Sequence, residues 1–148
     1  MFTIVFLVCL LVHCYTDLRW QLLYDEVNLF LGFMGLAYAC LAGKLLEALA
    51  GAGLGCGLLL LIYWLSRGGL GLGDVKLALA LGMWLGAEGT LLALLIAFLS
   101  GGLVGLLLLA AGLKGRQDSI PFGPYIALGG WLSFFWGGEI ITWYFGCW

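Results

Sequence analysis

Charge is what this sequence has least of: 6 basic and 8 acidic residues in 148, 9% in all, with one histidine and two prolines. Helices of a soluble domain each need a polar face, and so few charges cannot supply them. No basic patch exists for nucleic acid, and the net charge of −2 is thinly spread. The five cysteines, Cys9, Cys14, Cys40, Cys56 and Cys147, never form a C-x-x-C pair. They sit in or beside apolar runs and read as small packing residues, so neither a metal site nor a disulfide framework is expected. Phosphate-binding signatures are missing too. A P-loop fails because Lys76 follows Asp74 and Val75, and G-x-G-x-x-G fails because Lys76 stands where the last glycine belongs. No cofactor is implied. No basic stretch precedes the first apolar run and no A-x-A-like site follows it, so that run is expected to stay as a helix and not leave as a signal peptide.

What the chain has instead is hydrophobicity, 64% of residues, with a mean hydropathy of +1.15. It reads as an all-α polytopic integral membrane protein, one membrane-embedded domain over residues 1–148 with the lipid bilayer as partner. A spanning helix takes about 20 apolar residues. Six helices are expected, over 2–16, 27–43, 46–65, 74–87, 89–112 and 122–145, bundled compactly. With six, alternate connections share a side. Arg19, Arg67, Lys76, Lys114 and Arg116 then fall together and only Lys44 opposes them, so the positive-inside rule makes the crowded side cytoplasmic and puts both termini outside. The loops 17–26, 66–73 and 113–121 are expected in the cytoplasm, and the KGRQDS stretch with Asp118 reads as a solvated surface there.

Glycine is abundant, 25 in all. Gly51, Gly53, Gly55 and Gly57, and again Gly101 and Gly105, give small-x-x-x-small spacings that let helix backbones approach in lipid. They point to a tight bundle first and allow a homodimer face second. The seven tryptophans lie toward helix ends and read mostly as interfacial residues.

Against this background the stretch RGGLGLGDVKLALALG is anomalous. An acid beside a membrane helix marks a functional site by default, and the topology brings Asp74 to the depth of Asp17, 57 residues earlier. Asp74 as a mere helix N-cap leaves the glycines before it unexplained. Gly71 and Gly73 permit φ > 0 and leave a bare backbone beside which a second chain can lie. Two carboxylates sharing a site cannot both ionise, and such a pair can activate water against a peptide carbonyl. Asp17 is the first partner for Asp74 and Asp25 the second. His13, four residues before Asp17, lies on the same helix face and reads as a packed residue. Gly129, in the last run, is expected to matter less to chemistry than Gly73.

These residues resemble a known family. GLGDVKLALALG resembles the G-x-G-D-x-K-L signature of type IV prepilin peptidases, membrane aspartic proteases that trim pilin-like precursors. Asp17 followed by LRWQLLYDEVN resembles the family's first catalytic segment, with Tyr24 where that segment has proline. SIPFGPYIALGGWLSFFWG, residues 119–137, resembles its third block, I-P-F-G-P before a final membrane helix. Asp17 and Asp74 match the catalytic aspartates, Lys76 the signature lysine, and Gly71 and Gly73 the signature glycines. Pro121, Gly123 and Pro124 match the third block and are implied to shape the loop beside the site. The resemblance implies a prepilin-like or pseudopilin precursor as substrate, in type IV pilus or secretion systems, cut at the cytoplasmic face of the cell inner membrane. The insertion with paired C-x-x-C motifs that accompanies N-methylation in larger members is missing, as in the short peptidase-only forms. Three alternatives stand beside this reading. An inactive family member would keep the motifs. A membrane subunit or ion-binding transporter fragment would use the two acids but leaves the third block unexplained. Presenilin-like proteases carry a Pro-Ala-Leu motif that this chain lacks.

Overall fold

The computed structural model describes residues 1–66, 69–113 and 121–146, with side chains through residue 144. Five helices follow in order: α1 Phe2–Trp20, α2 Asp25–Leu41, α3 Leu45–Leu65, α4 Leu72–Ala110 and α5 Gly123–Gly146. No strand occurs among the described residues. Three of the helices, α1, α3 and α4, are long and apolar enough to cross a membrane. Large apolar side chains such as Leu11, Leu61, Leu95 and Leu103 face outward along them, each more than half exposed. A contiguous exterior of this kind is stable in lipid and not in water. The chain is an all-α integral membrane protein. Arg67, Lys114, Arg116 and Asp118, on which part of the loop reading rests, lie outside the described residues.

Among the described residues the helices number five where six were expected, because the expected fourth and fifth meet at Gly86 with no loop between them and form α4. A straight helix of 39 residues would be roughly 58 Å long at a rise of about 1.5 Å per residue, twice the bilayer core of about 30 Å. This one is not straight. Gly86 leaves the helical region (φ 68°, ψ −177°), in left-handed φ space open to glycine. The Thr90 hydroxyl donates to the Gly86 carbonyl at 2.6 Å. Beyond this break α4 folds back. A Cβ at Gly55 would lie 2.7 Å from the Ala78 carbonyl oxygen and 3.0 Å from Thr90 Cγ2, yet residues 78 and 90 would be roughly 18 Å apart on a straight helix.

Glycine makes the close packing. Gly51 of α3 and Gly82 of α4 lie backbone to backbone, so a Cβ on either would strike the other's carbonyl oxygen. A Cβ at Gly53 or Gly57 of α3 would meet nothing within 4 Å among the described residues. The first pair serves the bundle; the second faces out. Gly129 of α5 lies against the Ala93 carbonyl of α4 with no room for a Cβ. A side chain there would part α4 from α5, so Gly129 is a packing glycine.

Aromatic side chains close the end of the bundle away from Asp17. Trp84 is buried and donates its indole N–H to the Leu31 carbonyl at 2.8 Å, which fastens α4 to α2. It stacks on Tyr38 at 5.5 Å, while Phe6 of α1 stacks on Phe134 of α5 at 4.6 Å. Trp84 is thus a core residue and not an interfacial one.

Candidate active site

The last turn of α1 is the first part of the site. The helix continues four residues beyond its expected end at residue 16, so Asp17 sits inside it, buried on the same face as His13 and Thr16. Gln21 ends the helix in left-handed conformation (φ 52°, ψ 37°), its N–H donating to the Asp17 carbonyl at 2.9 Å. Only a few non-glycine residues adopt that conformation, and helix C-termini are where they do. The chain then crosses Leu22 and Leu23 and enters α2 through Tyr24, at φ −71° and ψ 124°. Proline's ring would hold φ at about −65°. Tyr24 therefore keeps the turn that the family's proline would impose.

Asp74 is the third residue of α4, not its N-cap as one reading of the sequence had it. Gly71 is the N-cap, and its N–H donates to Asp74 Oδ2 at 3.2 Å. The carboxylate thus reaches back to the start of its own helix, as the acid of a capping box does. Asp74 is only 7% exposed, and its Oδ1 is buried without a hydrogen-bond partner among the described residues. A buried carboxylate oxygen left unpaired is costly, and such costs concentrate where chemistry is done. Gly71 has φ −75°, and Gly73 is not among the positive-φ glycines, so of the two freedoms read for these glycines the left-handed one is not used. Small size is what matters. A Cβ at Gly73 would lie 3.0 Å from Leu23 Cβ. The first segment is thus laid directly on the second.

The third block meets Asp17 from behind. Gly123 opens α5, and its N–H donates to Asp17 Oδ2 at 2.8 Å. The N–H groups of a first turn have no partner inside the helix, and the helix dipole favours a negative group there. Phe122 accepts the first intrahelical bond, from Ile126 at 3.2 Å. Pro124, next in line, has no N–H to leave unpaired, which suits a helix start. Pro121 and Pro124 flank Gly123 and do not line the cleft described next.

Asp17 and Asp74 line one cleft of about 600 Å³ together with Gly71, Gly73 and the segment from Gln21 to Glu26. Asp25 and Lys76 form an exposed ion pair at 2.6 Å between the starts of α2 and α4. That pairing occupies Asp25, the second candidate partner, and gives Lys76 a fixed place at the edge of the site. Below Asp17, His13 is buried; its Nδ1–H donates to the Cys9 carbonyl, and Nε2 hydrogen-bonds Asn28 Oδ1, both at 2.8 Å. This bond joins α1 to α2. Asn28 was not singled out from the sequence, although an asparagine inside an apolar helix is itself a signal. Leu23 carried none, because only the fold places it on Gly73.

Gly73→Val is expected to lower activity at least tenfold while the protein still inserts, since the added methyls must displace Leu23 at a cost of about 1–3 kcal/mol. Gly57→Val, at a glycine that meets nothing, is the control. Cleavage in membranes, normalised to inserted protein, reads the difference; equal loss in both would mean that the effect at Gly73 does not come from its contact with Leu23.

Comparison with known proteins bears on this geometry. The family model of the type IV leader peptidase family matches residues 4–106. A prepilin leader peptidase/N-methyltransferase of Xanthomonas campestris is 40% identical over 135 residues, covering 86% of this chain and 47% of the relative. The protein of the same name from Aeromonas hydrophila is 37% identical over 137 residues, covering 88% and 47%. That from Legionella pneumophila is 37% identical over 142 residues, covering 90% and 49%. The chain thus spans about half the length of these relatives. No solved structure matches it. By a match that takes in α1 to α4, both candidate aspartates included, the chain belongs to the type IV leader peptidase family.

Proposed function

We propose that this protein is an aspartic endopeptidase that cuts the leader from prepilin-like or pseudopilin precursors at the cytoplasmic face of the cell inner membrane. The observation that carries the reading is the single cleft lined by Asp17 and Asp74, each held by a glycine N–H from a different motif block. Residues 1–148 act as one membrane-embedded domain in it.

In the proposed reaction the two carboxylates hold one proton between them. The ionised member takes a proton from water as the oxygen attacks the scissile carbonyl carbon. The protonated member gives its proton to the carbonyl oxygen as the C=O π bond opens. The tetrahedral intermediate then returns its hydroxyl proton to a carboxylate, the C–N bond breaks, and the other carboxyl protonates the leaving amine. One water is consumed, and the pair ends as it began. Burial supports this use of the pair, because a site shielded from bulk water strengthens each electrostatic contact in it.

Cleavage of a prepilin-like precursor by the full chain in membranes tests the activity; intact precursor after prolonged incubation with inserted protein would exclude it. Orientation is tested separately. A single cysteine placed at Leu70, in a variant with the native cysteines replaced, should be labelled by an impermeant reagent in opened membranes and not in intact cells. Labelling in intact cells would put the cleft on the outer face.

A further inference from the structure

Besides the polar cleft, the bundle has an apolar groove of about 590 Å³ between α1 and α5, walled by Leu7, Leu11 and Cys14 on one side and Pro124, Leu128 and Trp131 on the other. Its position is what distinguishes it from the rest of the apolar exterior. Cys14 is one turn before Asp17, and Pro124 directly follows Gly123, whose N–H holds Asp17 at 2.8 Å. The groove therefore ends at the Asp17–Gly123 hydrogen bond, and the polar cleft begins on its other side. From Cys14 to Leu7 it follows α1 for two turns, roughly 10 Å. α1 and α5 stay in contact beneath it through the Phe6–Phe134 stack at 4.6 Å.

An endopeptidase cuts inside a chain, so its substrate must continue on both sides of the scissile bond. A bond held at Asp17 has the polar cleft on one side and this groove on the other. Extended backbone with unpaired amides suits the first. The second is lined almost wholly by apolar side chains, with too few polar atoms, from Cys14, Tyr125 and Trp131, to pair a run of backbone amides, and lipid offers no partner either. Only a segment whose backbone bonds are satisfied internally, an α-helix, can lie there.

We propose that the α1–α5 groove seats the apolar helix of the substrate, with the end of that helix that adjoins the scissile bond at the Asp17–Gly123 contact. This rests on the peptidase reading and names where that enzyme holds the membrane-bound half of its substrate. The groove fixes the depth of the helix, and so decides which peptide bond reaches the carboxylates.

Cys14, half-buried in the groove wall, provides the probe. In full-length protein with Asp74→Asn to hold the precursor uncut and with the other four cysteines replaced, a prepilin-like precursor carrying single cysteines along its apolar helix should cross-link to Cys14. The yield should recur every three to four positions of that helix. A cysteine at Leu60, exposed on α3, should cross-link several-fold less in a variant that lacks Cys14. Leu128→Trp, or Leu11→Trp should the first fail to insert, is expected to raise KM about tenfold with kcat within twofold, whereas Leu60→Trp changes neither. Comparable cross-linking at Leu60→Cys overturns the proposal. So does an unchanged rate of maleimide labelling of Cys14 when precursor is added, the result expected of a groove that holds lipid only. Cleavage by the chain with Asp74 intact and the same cysteine replacements is scored in membranes prepared alongside. Loss of cleavage would strike the peptidase reading, whereas normal cleavage without Cys14 cross-links would strike the groove alone.

Discussion

Asp17→Asn and Asp74→Asn should each reduce cleavage by roughly ten-thousandfold, and the double change should cost little more, because groups that act as a unit lose their function together. Asparagine keeps the size of the side chain and can still accept the bond from Gly123 or Gly71 through its amide oxygen, at 2.8 Å and 3.2 Å in the native protein. What it cannot do is take a proton from water or pass one to the leaving amine. Insertion and helix content should therefore hold while turnover fails. Asp25→Asn separates the two candidate partners. Asp25 faces Lys76 at 2.6 Å with more than half of each side chain exposed, and exposed ion pairs are worth about 0–1 kcal/mol. Asp25→Asn should keep activity within about threefold of the native protein. The readout is single-turnover cleavage of a prepilin-like precursor in membranes. A dead Asp25→Asn beside an active Asp17→Asn would reassign the partner. Activity in both Asp17→Asn and Asp74→Asn would remove the carboxylate mechanism altogether.

The acids were legible in the sequence because charge is scarce in it: an aspartate among apolar residues stands out without any fold. Which glycines matter, and why, was less legible. Gly71 and Gly73 invite a conformational reading, because glycine is the residue that reaches positive φ freely, yet here their smallness admits Leu23 and the Asp74 carboxylate. Positive φ is used instead at Gly43, Gly86 and Gly112, and of these Gly86, at 68°, folds α4 back on itself. No local rule separates these cases, since the demand for a missing Cβ comes from a partner distant in sequence. The same holds for Gly129 against Ala93. Helix ends fared similarly. The carboxyl group of Asp17 looked like a stop signal for a short helix, whereas α1 runs on to Trp20 and hides that group on its inner face. Polarity read residue by residue cannot tell a buried acid from a terminal one. The matched third block was legible as a motif, but its physical purpose was not: only the fold brings Gly123 106 residues along the chain to Asp17.

That contact yields the second large effect. Gly123→Val is expected to abolish cleavage, to below about one-hundredth of the native rate, and Gly123→Ala to reduce it by at least tenfold. A Cβ at position 123 would lie 2.7 Å from Asp17 Oδ2 and 3.1 Å from Cγ, inside ordinary van der Waals separation. One of two things must then move. If the carboxylate turns away, it leaves the Gly123 N–H and the cleft shared with Asp74. If α5 withdraws instead, its first turn loses the acceptor that satisfies a free amide, an interaction of the helix-capping kind worth about 0.5–2 kcal/mol. Either movement displaces a reacting group by a fraction of an ångström to an ångström, and displacement by 1 Å can cost a hundredfold in rate. The loss should fall chiefly on kcat if the carboxylate is what moves; a rise in KM beside it would report movement of the α1–α5 groove that Gly123 borders. Gly138→Ala, at a glycine of the same helix that meets nothing within 4 Å, should cleave at the native rate. Measuring kcat and KM for both variants, with insertion verified, gives the decision. A Gly123→Ala enzyme with native kcat would mean that Asp17 does not depend on the start of α5 for its position, and the third block would then owe its place in the site to something other than this hydrogen bond.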